Sequence, residues 1–245
     1  MRRLLPRGPS DLALQAVVFL GGLFGYELVR GLAAGTGQEP FENARRVIEV
    51  ERNLHVFVEP AIERFVQRHA EPIMDLAVWI YLNAHLLVTF GALLYIYLRH
   101  RDAFGRTRDT LLVAMAIGLA GYALFPTAPP RLLSGYGFSD PVQSATRVST
   151  THGVASLLVN PYAAIPSMHV CFALVLGRSL AGVVRHRLLR AAWLAYPLLI
   201  AAVVVVTGNH LFADVALGAL TAVAAGGIAR RRRQSPAPAL GGIPA

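Results

Sequence analysis

The sequence contains no lysine, one cysteine and few charged residues of either sign. All 23 basic side chains are arginine, and charged residues make up 15% of the 245 positions. The single cysteine, Cys171, excludes an intramolecular disulfide and any cysteine-rich metal site. Scarce charge, a hydrophobic content of 55% and a mean hydropathy of +0.50 exclude an ordinary soluble domain. The composition therefore indicates a membrane protein with several spanning helices.

Six segments are long and apolar enough to cross ~30 Å of hydrocarbon as helices. They are residues 12–32, 73–98, 110–125, 165–184, 191–207 and 210–229. We therefore predict an all-α integral membrane protein, a six-transmembrane-helix bundle that forms a single membrane-embedded domain over residues 1–233. Residues 234–245 are rich in proline, glycine and alanine, and we predict a disordered tail there.

The arginines indicate how the bundle is oriented. Clusters occur at the N-terminal end, in the second-to-third and fourth-to-fifth loops, and at the C-terminal end: residues 2–7, 99–108, 185–190 and 230–233. If six helices alternate, all four clusters lie on one side, which the positive-inside rule makes cytoplasmic. We therefore predict a multi-pass protein of the cell membrane with both termini in the cytoplasm. The membrane topology then explains the formal charge of +9, which requires no nucleic-acid partner.

The first outer loop, residues 38–71, departs from this pattern because it carries five arginines and seven acidic residues. Its apolar residues recur at helical spacing. They are Phe41, Ala44, Val47, Ile48, Leu54, Val58, Ala61, Ile62 and Phe65. We predict one or two amphipathic helices on the membrane surface, with a lid or an interaction surface as the alternative.

Polar residues from three separate segments meet at the predicted outer face. His210 and Asp214 begin the sixth helix, and "NPYAAIPSMH", which contains Ser167 and His169, leads into the fourth. Arg131, in "FPTAPPRLL", lies just beyond the third helix. Ionisable groups at membrane depth are costly, so their convergence indicates a functional site.

The residue types suit phosphoryl transfer. His210 and Asp214 are four positions apart and share one helix face, so the carboxylate can fix the imidazole tautomer and leave Nε2 as a nucleophile. His169 can protonate the leaving oxygen as a general acid. Arg131 offers a fork for phosphate oxygens, and Ser167 adds a hydroxyl at a helix start that favours anions. Neither a metal nor a cofactor is required.

Other interpretations of these residues remain open. His210 and Asp214 can be a structural pair between helices, and two histidines with one carboxylate can hold a metal. Ser167 can be only a helix cap. Asn83 and His85, in the second helix, are expected to hydrogen-bond between helices. A non-enzymatic lipid carrier is a further alternative, although its polar residues would follow a track through the bilayer.

Two motifs resemble those of a known family. "PSMH" resembles the Pro-Ser-x-His second motif of the type 2 phosphatidic acid phosphatase (PAP2) superfamily, and "HLFADVALG" resembles its third motif. The wider "NPYAAIPSMH" and "TGNH" resemble the branch that includes inositol phosphorylceramide synthases. The resemblance implies a six-helix membrane enzyme that forms a phosphohistidine without a metal. It implies His210 as nucleophile, Asp214 as its partner and His169 as acid.

The chain departs from the superfamily pattern at its phosphate-binding cations. With Arg131 as the arginine of the first motif, Lys-x6-Arg-Pro, its lysine and proline are absent, as is the Ser-Arg pair of the third motif. These positions hold Leu124, Leu132, Val203 and Val204. Arg147, or Asn209 as a neutral donor, is the candidate replacement for the missing phosphate ligands.

The sequence thus predicts an enzyme acting on a membrane lipid phosphate or phosphodiester at the extracytoplasmic face. With water as acceptor it is a lipid phosphatase. With an alcohol as acceptor it is a lipid phosphotransferase, like an inositol phosphorylceramide synthase. We favour hydrolysis because water is always available to an exposed site. The sequence does not specify the oligomeric state.

Overall fold

The structure is a computed structural model, and it describes residues 8–32, 37–146 and 162–234. Within these ranges the chain is helical, and its β-structure is limited to a single bridge between Thr127 and Ala163. The helices are α1 (Pro9–Leu32), α2 (Glu39–Asn53), α3 (Glu59–His69), α4 (Glu71–Arg99), α5 (Arg101–Leu124), α6 (Pro141–Thr146), α7 (Met168–Val183), α8 (Arg187–Val206) and α9 (Phe212–Gln234). The predicted all-α class is confirmed.

Each of the six predicted segments forms a helix, but not every one is a span by length and composition. In the described ranges, α4, α8 and α9 are long and apolar enough to cross a membrane, and α7 is apolar but shorter. The third segment was predicted to begin at Thr110, whereas α5 begins at Arg101. Only His100 separates α4 from α5, so the arginine-rich loop predicted there is largely helical. The count of six spans stays a prediction.

Helices α5, α7 and α9 form the centre of the bundle, with α1 and α4 packed around them. Their contact faces carry small and branched apolar residues such as Leu111, Cys171 and Ala225, all fully buried. Helix α8 packs against α7 at Gly177, where a Cβ would lie 2.4 Å from the carbonyl oxygen of Trp193. Glycine is therefore required for this close approach of two helices.

Ion pairs show which helix ends lie together. Asp11, near the start of α1, accepts hydrogen bonds from Tyr97 at 2.8 Å and Arg101 at 2.9 Å, at the α4–α5 junction. Arg233, near the end of α9, pairs with Asp109 of α5. The arginine-rich helix ends described by the structure thus gather at one end of the bundle. The starts of α7 and α9 and the end of α5 lie at the other end.

The region between α1 and α4 forms two helices, α2 and α3, which cover the end of the bundle where α9 begins. Helix α2 buries Ala44 and Ile48 against Leu211. Helix α3 instead buries Glu59 and Glu63 and leaves the apolar Phe65, and Val58 at its N-cap, exposed. The buried carboxylates of α3 accept hydrogen bonds from the bundle, so its apolar side chains lie on the opposite, exposed face. The predicted membrane-surface location stays a prediction.

Some predictions concern residues outside the described ranges. These are Arg147 as a phosphate ligand and Asn160 and Pro161 of the wider motif. The predicted disordered tail, residues 234–245, also lies outside them except for Gln234, which ends α9.

Candidate active site

The six residues predicted from the sequence come together at one end of the bundle. His210, Asp214 and Asn209 lie in and just before the first turn of α9, Ser167 and His169 at the start of α7, and Arg131 in the short 3₁₀ turn after α5.

His210 and Asp214 form a buried pair. Nδ1 of His210 lies 3.3 Å from Oδ2 of Asp214, and the two residues are 5% and 1% exposed. The same Oδ2 accepts the backbone N–H of Leu211 at 2.9 Å, which fixes the carboxylate. Because Nδ1 is engaged by the carboxylate, Nε2 is the ring nitrogen left for chemistry.

A glycine in the left-handed backbone conformation lies in the turn between α8 and His210. Gly208 has φ +64°, and the backbone N–H groups of Asn209 and His210 both donate to the carbonyl of Val204 at 3.0 and 3.1 Å. A Cβ on Gly208 would lie 3.1 Å from Oε2 of Glu63. The "TGNH" sequence thus forms a tight turn that only glycine accommodates without strain.

Glycines also make room for the "PSMH" segment between α5 and α9. A Cβ on Gly218 would lie 2.3 Å from the carbonyl oxygen of Ser167, and one on Gly121 would lie 2.7 Å from Cδ of Pro166. The backbone N–H of Ser167 donates to the carbonyl of Asp214 at 3.1 Å, which joins the start of α7 to α9. The Ile165–Pro166 peptide is cis. This packing fixes where α7 begins relative to α9.

The hydroxyl of Ser167 is one of five buried side-chain oxygens without a hydrogen-bond partner among the described residues, and the other four belong to carboxylates. It is fully buried, and its Oγ has no hydrogen-bond partner within the described part of the chain. Ser167 occupies the N-cap position of α7, yet its side chain makes no capping bond. The alternative interpretation of Ser167, that it is only a helix cap, is therefore wrong.

His169 lies among aromatic rings and faces His210. Its ring centroid is 5.9 Å from that of His210, with an angle of 60° between the planes. The rings of Tyr81 and His85 lie 4.8 and 5.2 Å away. His85 is in turn hydrogen-bonded through Nδ1 to the hydroxyl of Tyr196 at 2.9 Å. The predicted bond between helices is present for His85, and the residue also lies next to the candidate acid.

Tyr81 reaches His169 from a π-helical turn in α4, Ile80–Ala84. Such turns occur often at functional sites because the extra residue changes which side chains share a face. Asn83 lies in the same turn and donates to the carbonyl of Trp79, in its own helix, at 3.3 Å. The prediction that Asn83 bonds between helices is therefore wrong.

Contacts with described residues hold Arg131 beside the turn that carries His210. Its Nε–H donates to Oδ1 of Asn209 at 3.0 Å, its Nη1 donates to Asp140 at 2.7 Å, and its backbone N–H donates to Gly208 at 2.8 Å. The amide of Asn209 also donates to the hydroxyl of Thr207 at 2.8 Å. Asn209 thus connects the arginine to the turn that carries His210. Asp140 compensates the arginine's charge, and the sequence analysis did not identify it.

Two buried glutamates contact the first backbone N–H groups of α9. Oε1 of Glu59 accepts the N–H of Phe212 at 3.0 Å, and Oε1 of Glu51 accepts the N–H of Ala213 at 2.7 Å. Acceptors are favourable here because the N-terminal N–H groups of a helix have no partner within the helix and carry partial positive charge. Burial raises the pKa of Glu51 to about 8. The N–H of Ala213 opposes this increase, and the nearby carboxylates of Glu59 and Asp214 add to it.

A third buried carboxylate, Glu63, joins α3 to the loop that holds Asp140. Its Oε1 accepts the backbone N–H of Ser139 at 2.8 Å and also the Ser139 hydroxyl. Burial raises the pKa of Glu63, whereas both hydrogen bonds from Ser139 oppose the increase. The three glutamates thus link the α2–α3 region to the candidate site. Their burial is the main feature that the sequence analysis missed.

Within residues 8–32, 37–146 and 162–234, no group of three or more histidine, cysteine, aspartate or glutamate side chains is arranged to hold a metal ion. The predictions that the site needs neither a metal nor a cofactor stay predictions.

The apolar helices, with two histidines and a buried carboxylate meeting at one end, form an arrangement suited to phosphoryl transfer at a membrane. A family model described as the PAP2 superfamily matches residues 45–228. The chain belongs to the PAP2 superfamily, whose members are generally phosphatases or phosphotransferases. No curated protein and no solved structure matched the chain in the corresponding comparisons.

Proposed function

We propose that the protein is a metal-independent membrane lipid phosphatase that hydrolyses a lipid phosphate ester through a phosphohistidine intermediate. The observation that carries this proposal is the buried His210–Asp214 pair, with the ring of His169 5.9 Å away. A structural pair alone would not require a second histidine facing it from another helix.

In the first step, Nε2 of His210 attacks phosphorus and the bond from phosphorus to the lipid oxygen breaks. His169 gives its proton to the departing oxygen, so that the lipid leaves as an alcohol. Asp214 stabilises the positive imidazole ring through the hydrogen bond to Nδ1. In the second step, His169 accepts a proton from water as the water attacks phosphorus. The phosphorus–nitrogen bond breaks, and His210 is regenerated.

The phosphate oxygens are bound, in this proposal, by Arg131, Ser167 and Asn209. The guanidinium of Arg131 supplies positive charge beside the nucleophile. The hydroxyl of Ser167 has no partner within the described residues and can donate to an oxygen at the N-terminus of α7. Asn209 holds Arg131 in place and adds a neutral donor. These three groups substitute for the cations that the superfamily motifs have elsewhere.

The proposed location is the extracytoplasmic surface of a cell membrane, with six spanning helices and both termini in the cytoplasm. The support comes from charge, because the arginine-rich helix ends lie at the end of the bundle away from His210. A lipid would enter laterally with its tail in the bilayer. The exposed apolar residues of α3, including Phe65, would face the membrane surface.

Transfer to an alcohol is the second candidate function, and the wider "NPYAAIPSMH" and "TGNH" motifs favour it. The substrate would then be a phosphodiester or phosphate lipid, and an alcohol would replace water in the second step. His169 would deprotonate the alcohol as it attacks the phosphohistidine. Because the same side chains serve both reactions, the identity of the product distinguishes them.

The test is phosphate release from a panel of lipid phosphates by detergent-purified protein in EDTA. We expect release by the wild type and none by His210→Asn. A matched control is His186→Asn, which changes an exposed histidine at the other end of the bundle to a residue that also caps helices well. Equal release by wild type and His210→Asn would overturn the mechanism. Release only when candidate alcohols are added, with phosphorylated alcohol as product, would identify the transferase.

A further inference from the structure

A concave surface lies at the end of the bundle opposite to His210. It is a groove of about 850 Å³ between α5, α7 and α9. Helix α9 rises 1.5 Å per residue, so Arg230 in the groove lies roughly 27 Å along the axis from Phe212 at the active-site end. The groove and the candidate active site therefore share helices but no residues.

Small and apolar residues form the walls of the groove. Leu174 and Val223 line it together with Gly182, Gly226 and Gly227. A Cβ added at any of these three glycines would meet no atom within 4 Å, so the surface over them is open. These residues form an open, largely apolar channel along the groove.

Four arginines from three helices also line the groove. They are Arg106 of α5, Arg178 of α7, and Arg230 and Arg233 of α9. Arg233 pairs with Asp109. Among the described residues, the guanidinium groups of the other three make no hydrogen bond or ion pair. The groove therefore has uncompensated positive charge beside apolar walls.

Arg178 is the most informative of the four. It lies within the apolar helix α7, five residues before the helix ends at Val183. A charged side chain in such a helix is costly unless it reaches water or an opposite charge. Extension of Arg178 towards water would explain its position in α7. It would not explain why arginines of α5 and α9 line the same groove.

We propose that the groove binds a phospholipid with an anionic headgroup. The guanidinium groups of Arg106, Arg178 and Arg230 would bind the headgroup phosphate, for which their planar donors are well suited. One acyl chain would lie over Gly226 and Gly227. Basic pockets between membrane helices are suited to anionic lipid headgroups. This site is independent of the proposed phosphatase reaction, so either can fail without the other.

The experiment is native mass spectrometry of the detergent-purified full chain with equimolar phosphatidylglycerol and phosphatidylcholine. We expect the wild type to retain phosphatidylglycerol preferentially. The double variant Arg106→Gln, Arg178→Gln should lose about 25-fold in affinity for it, at about fivefold for each arginine. Equal retention of the two lipids by the wild type would overturn the proposal, as would a second copy of the chain in place of lipid.

Two further variants separate a built site from general electrostatic attraction. Arg187→Gln with Arg190→Gln removes the same charge at the start of α8, outside the groove, and should leave phosphatidylglycerol retention unchanged. Gly226→Leu keeps every arginine and fills the channel, and it should reduce retention as strongly as the charge variants. Loss in the α8 variant, or full retention by Gly226→Leu, would overturn the proposal.

Discussion

The carboxylate of Glu59 accepts the backbone N–H of Phe212 at 3.0 Å and so joins α3 to the first turn of α9. Glu51 makes the same kind of bond to the next residue, Ala213. The first turn of α9 contains Asp214, which in turn orients His210. The position of the proposed nucleophile therefore depends on a segment far earlier in the chain, outside the catalytic motifs.

Replacement of Glu59 should destabilise the protein and reduce catalysis. In Glu59→Ala the N–H of Phe212 would remain buried without an acceptor, at a cost of about 1–3 kcal/mol. Glu59→Gln keeps an acceptor oxygen and should cost less. The measurements are thermal unfolding in detergent and kcat for each variant. If the alanine and glutamine variants behave alike, the hydrogen bond to Phe212 does not contribute as argued.

The buried carboxyl of Glu51 should make stability depend on pH. Its pKa is raised from the ordinary 4.5 to about 8, so between these values the folded protein holds a proton that the unfolded chain has released. The free energy of unfolding therefore falls as pH rises through this window, by at most about 1.4 kcal/mol per pH unit, and the fall ends above the folded pKa.

Glu51→Gln removes the titrating group and should flatten this part of the profile. The measurement is the melting temperature of wild type and variant from pH 5 to pH 9. Parallel profiles for the two proteins would show that another group causes the pH dependence.

Gly218 should tolerate no side chain, although alanine is a better helix former. Its Cβ would lie 2.3 Å from the carbonyl oxygen of Ser167, so Gly218→Ala must separate α7 from α9. We expect a loss of stability of about 1–3 kcal/mol, as for other overpacked sites, and a larger loss of activity because His169 and His210 move apart. The matched control is Gly91→Ala in α4, outside both sites. A Cβ there meets nothing, so the control should be neutral or slightly stabilising.

The pair between Arg131 and Asp140 should control phosphate affinity. Asp140→Asn keeps the acceptor for the N–H of Gln143 and removes the charge that compensates the arginine. We expect a lower KM for a lipid phosphate, by roughly fivefold for about 1 kcal/mol of interaction. Arg131→Lys loses the Nε bond to Asn209 and should raise KM. Steady-state kinetics at constant ionic strength measure both KM values. A higher KM in Asp140→Asn together with a lower KM in Arg131→Lys would mean that Arg131 does not bind the phosphate.

The sequence alone predicted the helices and the convergence of the candidate site residues, because both depend on local signals. Apolar runs marked the positions of all six long helices. The spacing of His210 and Asp214 placed both on one helix face, and helix alternation brought His169 to the same end. Arg131 lies in a loop, and the sequence could assign it to the same end of the bundle because the end of the preceding helix was predicted.

The supporting contacts could not be predicted, because they depend on packing between distant segments. In α2 and α3, acidic residues at helical spacing indicate a solvated face, yet Glu51 and Glu59 are buried. Their partners are backbone N–H groups, which have no sequence signal. Tyr81 was missed because a π-helical turn changes which residues of α4 face His169. Asp140 was missed because a single loop carboxylate has no periodicity.

The role of His169 as a general acid can be separated from a structural role by varying the leaving group. A lipid alkoxide needs protonation as it leaves, whereas a nitrophenolate does not. His169→Asn should therefore reduce kcat/KM for an alkyl phosphate by roughly 10²- to 10⁴-fold and for p-nitrophenyl phosphate much less.

The matched control is His85→Asn, which removes the ring 5.2 Å from His169 and leaves the proposed acid in place. Because that control keeps the proposed acid, it should change the ratio of the two kcat/KM values far less than His169→Asn does. Equal losses on both substrates in His169→Asn would instead make His169 a structural residue, and the proton for the leaving oxygen would have to come from another group.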